Sequence, residues 1–298
     1  LAHEKKIEVG AINITMHPHS PQKYIDLLRA ASRKKLVKNI QSDKYGMITS
    51  ANPLDKEKYG ELGPLYGDIY RFTQIDKSAD WFNTDTIDSA KDEEIKEISI
   101  PDNLKPNSSR FSYIFFPKEH IMFYEQYYDG HSFGSRSAST LIDRVLNDPY
   151  LANRFGKIDV TPIPSVDKLN KALGMKKLER LDLIIRRPNP DEQSAAEQEV
   201  LKRMNDLNIA EQEQEYKAIP NKSIKIDKEL KILSNIAAKF GSVLAKGRDE
   251  EDRPIEYKTS EHPWKDKFYF DPSVELGSDM FISKVLSVKD EVLSWFKK

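Results

Sequence analysis

The sequence predicts an α+β fold: a mainly antiparallel sheet with packed helices over residues 1–190, a helical connector over 191–222, and a smaller C-terminal α+β unit over 223–298. Three observations predict it. Arg110 to Glu125 is an aromatic hairpin that reverses at Pro117-Lys118-Glu119. Between residues 131 and 187, strand-like and helix-like periods alternate. A second, charged hairpin then precedes an amphipathic C-terminal segment. At 298 residues the chain can bury one large core or two smaller ones.

Taken in order, Ile7 to Thr15 alternates and ends in a Met-His-Pro-His-Ser-Pro turn, which predicts a strand. Ser20 and Pro21 supply an N-cap and a first-turn proline for a helix over 22–41, with Tyr24, Leu27, Leu28, Ala31 and Leu36 as its apolar stripe. Tyr66 to Ile75 is a second strand, and 90–98 an acidic helix or loop. After the aromatic hairpin, the polar turn His131 to Ser137 opens a helix. A strand (Lys157 to Ile163), a short helix (Val166 to Leu173) and a strand from Leu178 to Arg187 follow, closed by Arg187-Pro-Asn-Pro-Asp191. Residues 191–217 are dense in Glu, Gln, Ala and Lys and predict an exposed helix or connector. Ile224-Lys-Ile begins a strand or helix, Ser242 to Thr259 is a hairpin, and Asp279 to Phe296 is a helix with a wide apolar face.

Composition narrows the function classes. There are no cysteines, which excludes disulfides, thiolate zinc sites, iron–sulfur clusters and cysteine nucleophiles. With no apolar run near the roughly 20 residues of a membrane span and a polar start, the expectation is a cytoplasmic protein without membrane insertion or signal peptide. The formal net charge is −1, from 47 basic and 48 acidic side chains. Such a balance permits nucleic-acid binding where the two signs are segregated in space.

They are segregated in sequence. The first helix carries Lys23, Arg29, Arg33, Lys34, Lys35 and Lys38 against Asp26 alone, a charge bias suited to a phosphate backbone; a solvated helix face is the alternative. Arg136 stands in the turn before a helix, where free N–H groups favour anions. Lys168, Lys171, Lys176 and Lys177 surround the short helix. Arg180 and Arg186 share one face of the strand after it. The expected nucleic-acid contacts are therefore Arg29, Arg33, Lys34, Lys35, Lys38, Arg136, Lys176, Lys177 and Arg186. No cofactor or resident metal is expected.

Two other function classes stay open. Asp249 with Glu256-Tyr-Lys258 has the wording of a metal-dependent nuclease centre, in which two carboxylates hold the ion and a lysine stands near the attacking water. Glu215-Tyr-Lys217 repeats the dyad. His17 and His19 flank a proline without an obvious third ligand. No nucleophile elbow, phosphate loop, His-Glu-x-x-His or dinucleotide fingerprint occurs. The third class is a protein-interaction subunit whose hairpin and C-terminal helix dock a partner. The width of that helix's apolar face (Phe281, Val285, Val288, Val292 and Phe296, flanked by Ile282, Leu286, Leu293 and Trp295) predicts a homodimer, with packing back on the main sheet as the competing explanation.

The aromatic hairpin, the Val160-Thr-Pro-Ile163 strand, the charged hairpin Ala245-Lys-Gly-Arg-Asp-Glu250 and the terminal helix together resemble the RexA-type phage-exclusion proteins. More distantly they resemble the DNA-binding subunit of the Kiwa defence system. The Arg-Pro-Asn-Pro-Asp motif, Arg187 to Asp191, is similar to one in an uncharacterised bacterial family of similar length. The resemblance covers about the last two-thirds of the chain. It implies a dimeric, sequence-indifferent DNA binder in antiviral defence.

Overall fold

The computed structural model describes residues 4–76, 78–189 and 194–296. It opens with β1 (Lys5–Met16). The Ser20 hydroxyl accepts from Lys23 N, and Pro21 fills the first turn of α1 (Pro21–Lys34). This helix stops short of the expected residue 41. Lys35 adopts a left-handed backbone at φ 53°, and Lys38–Gln41 becomes β2, paired with β3 (Lys44–Ile48). Ladder pairing thus outweighs continued helix across a segment that includes Val37 and Ile40, whose branched side chains favour strand.

The chain continues through the short β4 (Asn52–Pro53) and α2 (Lys56–Tyr59) to β5 (Leu65–Thr73). An outlying excursion holds β6 (Phe82–Asn83), β7 (Asp88–Ser89) and the acidic α3 (Asp92–Lys96). The aromatic hairpin is β8 (Ser109–Phe116) and β9 (Ile121–Tyr128), followed by β10 (His131–Ser132) and α4 (Ser135–Leu146). Asp148 caps α5 (Pro149–Phe155), and β11 (Ile158–Pro162), α6 (Val166–Leu173) and β12 (Lys177–Arg186) follow. A reciprocal Ser194–Glu197 capping box starts α7 (Ala195–Asp206), and then come β13 (Glu211–Lys217) and α8 (Lys228–Phe240). The chain ends with β14 (Ser242–Arg248), β15 (Pro254–Lys258), β16 (Lys265–Phe270) and α9 (Gly277–Phe296).

The predicted class holds: helices pack on a large antiparallel sheet. Ten strands form it, in the order β11-β1-β9-β8-β5-β3-β2, with β16 beside β1, β10 beside β9 and β4 beside β5. The long β1 organises it. Its first half, Lys5 to Gly10, pairs with β16, its second half, Ile12 to Met16, with β11, and β9 takes its other side. A second sheet runs β13-β12-β14-β15.

Each sheet face has its own core. On one face of the large sheet, Tyr24, Leu28, Leu141, Ile142 and Leu151 from α1, α4 and α5 pack on Ile12, Ile14, Met16, Tyr113 and Tyr124. On the other, Phe281, Val285, Val288 and Val292 of α9 cover Ile7, Val9, Ile114 and Phe123. Full burial of each such side chain contributes about 1.5–3 kcal/mol. The apolar face of the C-terminal helix therefore meets the sheet of its own chain. The width that predicted a homodimer is explained by the long sheet beneath it.

The expected boundaries at 190 and 222 do not separate the sheets. In the second sheet, β12 lies between β13 of the expected connector and β14 of the expected C-terminal unit. β16 meanwhile returns to pair with β1. Long-range strand pairing ties the three segments together, which a compositional change at 191 does not reveal. Pro190 and Asp191 of the Arg187 to Asp191 motif, like the start of the connector, lie outside the described residues.

Candidate nucleic-acid interface

The basic face begins with the way α1 lies on the sheet. Tyr24, Ile25, Leu27, Leu28 and Ala31 face inward, so at 3.6 residues per turn Arg33 points outward, with Arg29 and Lys34 on its flanks. Arg33, Lys34 and Lys35 are exposed and Arg29 is half-buried. The helix packs beside α4 and α5, and the Lys34 Nζ lies 4.8 Å from the centre of the Tyr150 ring on α5. On α4, Arg136 is exposed in the first turn. Arg144 reaches across to β2 and donates to the Asn39 carbonyl at 2.8 Å. Arg154 on α5 lies 4.9 Å from the Phe155 ring.

Residues 21–38 and 135–157, which build this layer, hold ten Lys and Arg against three acids. All three acids are engaged. Asp26 accepts from Gln22 Nε2 at 2.9 Å, and Asp143 from Asn147 Nδ2 at 3.0 Å, while burial raises the Asp143 carboxyl above its ordinary range. Asp148 caps α5 and binds Lys38 Nζ at 2.5 Å, and that bond holds its carboxyl below the usual range. Among the described residues, Arg29, Arg33, Lys34, Lys35, Arg136 and Arg144 have no carboxylate within ion-pair distance. The layer presents unneutralised positive charge.

The structure divides the predicted contact residues. Arg29, Arg33, Lys34, Lys35 and Arg136 fall on this layer. Lys38 does too, but its ammonium is taken by Asp148. The other three lie around β12 and have partners there. Lys176 donates to the Glu250 carbonyl at 3.2 Å, Lys177 meets Glu179 at 3.0 Å, and Arg186 meets Glu211 at 2.8 Å. Arg180 is similarly held by Asp182 and Glu215. Strand pairing with the acidic β13 neutralises that face. Sequence reasoning missed Arg144 and Arg154, although the same signal was present: 135–157 carries twice as many cations as acids.

The nuclease wording dissolves in the hairpin. Glu256 on β15 stands opposite Lys246 on β14 and is gripped by Lys246 at 2.6 Å and Lys258 at 2.7 Å. The two ammonium groups pull its carboxyl down to about 2. Asp249 lies in the reversal and accepts from Arg253 N and its guanidinium, both at 2.8 Å. Glu256 is therefore held by two lysines and Asp249 by Arg253. No group of three or more His, Asp or Glu side chains among the described residues is placed to hold a metal ion.

The histidines stitch the turn after β1 to the segment after β12. His17 Nε2 lies 3.2 Å from the Arg187 carbonyl, and burial lowers its imidazole pKa. The Tyr24 hydroxyl accepts from Met16 N at 3.1 Å and donates to Asn189 Oδ1 at 3.2 Å. The His19 ring meets the buried His120 ring edge-on at 4.3 Å, and burial pushes His120 down to about 3. This is a structural junction around Arg187 and Asn189 of the Arg187 to Asp191 motif.

A ten-stranded antiparallel sheet with helices on both faces, joined to a second four-stranded sheet, defines a mixed α/β protein. The chain belongs to the family described as a domain of unknown function, DUF4747, which matches residues 5–286. No curated protein matches it. No helix among the described residues is long and apolar enough to cross a membrane.

Proposed function

We propose that this protein binds nucleic acid, duplex DNA foremost, through phosphate contacts from the layer formed by α1, α4 and α5. The carrying observation is the ten-to-three excess of cations over acids there, with every acid already engaged. A chain of net charge −1 that holds such a face has its signs segregated, which is the electrostatic footprint of a polyanion binder. Arg29, Arg33, Lys34, Lys35 and Arg136 are the contact residues. They reach phosphates rather than base edges, so the binding is indifferent to sequence.

Charge reversal at Arg33→Glu with Lys34→Glu tests the reading. Binding to unrelated duplexes should weaken alike, and the slope of log affinity against log salt should flatten by about 0.9 for each lost phosphate contact. Unchanged affinity and slope in the folded double variant would refute it.

A place in bacterial antiphage defence, in the cytoplasm and with a partner protein or a second copy, belongs to the same proposal. It rests on the resemblance of the hairpins and the Arg187 to Asp191 motif. Phage plating on cells with and without the Arg33, Lys34 variant checks it: equal plating in both, and in cells lacking the protein, would remove it.

A further inference from the structure

The first half of β1 has one face that the helical layer leaves bare. Ile7 and Val9 point into the core beneath α9, so Lys6, Glu8 and Gly10 lie on the opposite face. Their partners share it: on β16, Tyr269 stands opposite Lys6, Lys267 opposite Glu8 and Lys265 opposite Gly10. On β9, Tyr127 stands opposite Glu8. The alternate residues of β16 fix this orientation, because Asp266 pairs with Lys284 of α9 at 2.6 Å and Phe270 is buried in the core beneath α9. Helices α1, α4 and α5 cover the second half of β1 instead. As a result Lys265, Lys267 and Tyr269 are exposed, and Lys6, Glu8 and Tyr127 are half-buried.

The chemistry of this face is aromatic rings interleaved with cations. Among its strand-paired residues are Tyr127 and Tyr269, the cations Lys6, Lys265 and Lys267, and the acid Glu8. That acid is already bound by Lys6 at 3.1 Å, and the same Lys6 Nζ stands 4.0 Å from the centre of the Tyr127 ring. Tyr269, opposite Lys6, is 54% exposed, so a large part of its ring is open to solvent. The two tyrosines stand on the strands flanking β1, opposite Glu8 and Lys6, so two strand spacings across and two residues along put them about 12 Å apart. The face ends beside α4. Tyr124, opposite Gly10, lies so close to it that a Cβ there would meet the Tyr124 hydroxyl at 2.6 Å, and Tyr124 in turn meets Ser135 of α4. Arg136 is the next residue.

We propose that this bare face is a platform for single-stranded nucleic acid, on which bases stack against Tyr127 and Tyr269 while Lys265 and Lys267 meet the phosphates. The proposal rests on the nucleic-acid reading above and adds the strandedness of the ligand. Unpaired bases offer ring faces to a sheet-borne aromatic, whereas a duplex keeps its bases stacked inside. The surrounding cations attract the backbone whatever the sequence, so discrimination between strands and duplexes comes from the rings.

The test uses fluorescent oligothymidylate and oligouridylate strands and a mixed-sequence duplex, with the full chain. Tyr127→Ala with Tyr269→Ala should lower single-strand affinity by about tenfold or more and leave duplex affinity within about twofold. The corresponding Phe variants, which keep the rings, should bind as the natural chain does. Tyr269→Ala alone, at the more exposed ring, and Lys265→Glu with Lys267→Glu give independent readings should the double variant lose its cooperative melt. Undiminished single-strand binding in the folded Ala variants, or an equal loss for the duplex, overturns the platform. Duplex binding with no single-strand binding also overturns it and leaves the broader reading standing. Failure of the natural chain to bind any of the probes removes both.

Discussion

Replacing Lys239 by methionine should strand a buried carboxylate. Lys239 on α8 and Glu197 in the first turn of α7 have side chains only 4% and 3% exposed, with Nζ 2.8 Å from Oε1. The same ammonium donates to the Phe296 carbonyl at 3.1 Å, so it also holds the end of α9. The other Glu197 oxygen accepts from Ser194 N at 2.9 Å, within the capping box. Methionine preserves most of the aliphatic stem beneath Trp295 and Phe296 but supplies no donor. Removing one partner of a buried pair costs about 3–5 kcal/mol, and the orphaned carbonyl adds about 1 kcal/mol. A loss of about 4–6 kcal/mol is therefore expected. Lys239→Met combined with Glu197→Leu removes both charges, and its principal remaining loss is the cap, about 1 kcal/mol. Urea unfolding followed by tryptophan fluorescence, compared at unchanged m, measures each variant. The reasoning fails if Lys239→Met stays within about 1 kcal/mol of the natural chain, or if the double variant is no more stable than the single one.

Other consequences follow from buried titratable groups and close backbone approaches. Burial lifts Glu125 from 4.5 to about 7 despite its bond from Ser112 N. The folded state then keeps a proton that the unfolded chain has released, so stability should fall by about 3 kcal/mol as pH rises from 4.5 to 7. Glu125→Gln should abolish that component of the pH profile of urea midpoints; an unchanged profile would contradict it. His120 has the opposite sense. Held at about 3 by burial, it leaves the folded state short of a proton below pH 6.5, and acidification from 6.5 toward 3 should cost several kcal/mol, about 4 at most. His120→Asn, which tolerates the residue's φ of 58°, should flatten that limb. Gly241→Ala should destabilise by about 1–3 kcal/mol, because its new Cβ would lie 2.0 Å from the Ile184 carbonyl, a ladder atom that cannot swing aside; a thermal melt unchanged from the natural chain would show that the junction of α8 and β14 yields.

What the sequence disclosed depended on whether the deciding interaction was local. The aromatic hairpin, α4, α6, β12 and α9 each carry their signal within a few residues: alternating apolar positions, a tight turn, or an amphipathic period. β2 was hidden by the strong cap and charge bias of α1, since only pairing with β3 shows where the helix must stop. β13 was hidden because Glu211 to Lys217 is almost entirely charged or amide side chains, and β16 because Lys265 to Phe270 puts three charged residues before three aromatic ones and so shows no period of two. Each is an edge segment whose strand character comes from a neighbour, β12 in one case and β1 in the other, far away in sequence. Helix α8 was missed for a different reason. Its apolar residues run almost continuously from Ile232 to Phe240, so no clear stripe separates a helix from a buried strand.

The same distinction governs the charge pattern. The bias of α1 was legible because its cations are neighbours in sequence, and it remains unneutralised because the elements packed beside it, α4 and α5, are themselves poor in acids. Lys177, Arg180 and Arg186 looked equally available, yet strand register sets Arg180 opposite Lys217 and Arg186 opposite Glu211, which brings the acids of β13 within reach. An unpaired cation in a sequence is thus evidence of a binding face only where the fold brings no acid to it. The bare face of β1 shows the converse. Lys6, Tyr127 and Tyr269 are remote in sequence and individually unremarkable, and only the register of β16 and β9 around β1 assembles them. If the charge reversal on α1 abolishes duplex binding while the tyrosine variants abolish single-strand binding, the two surfaces act separately, one assembled by helix periodicity and the other by strand pairing.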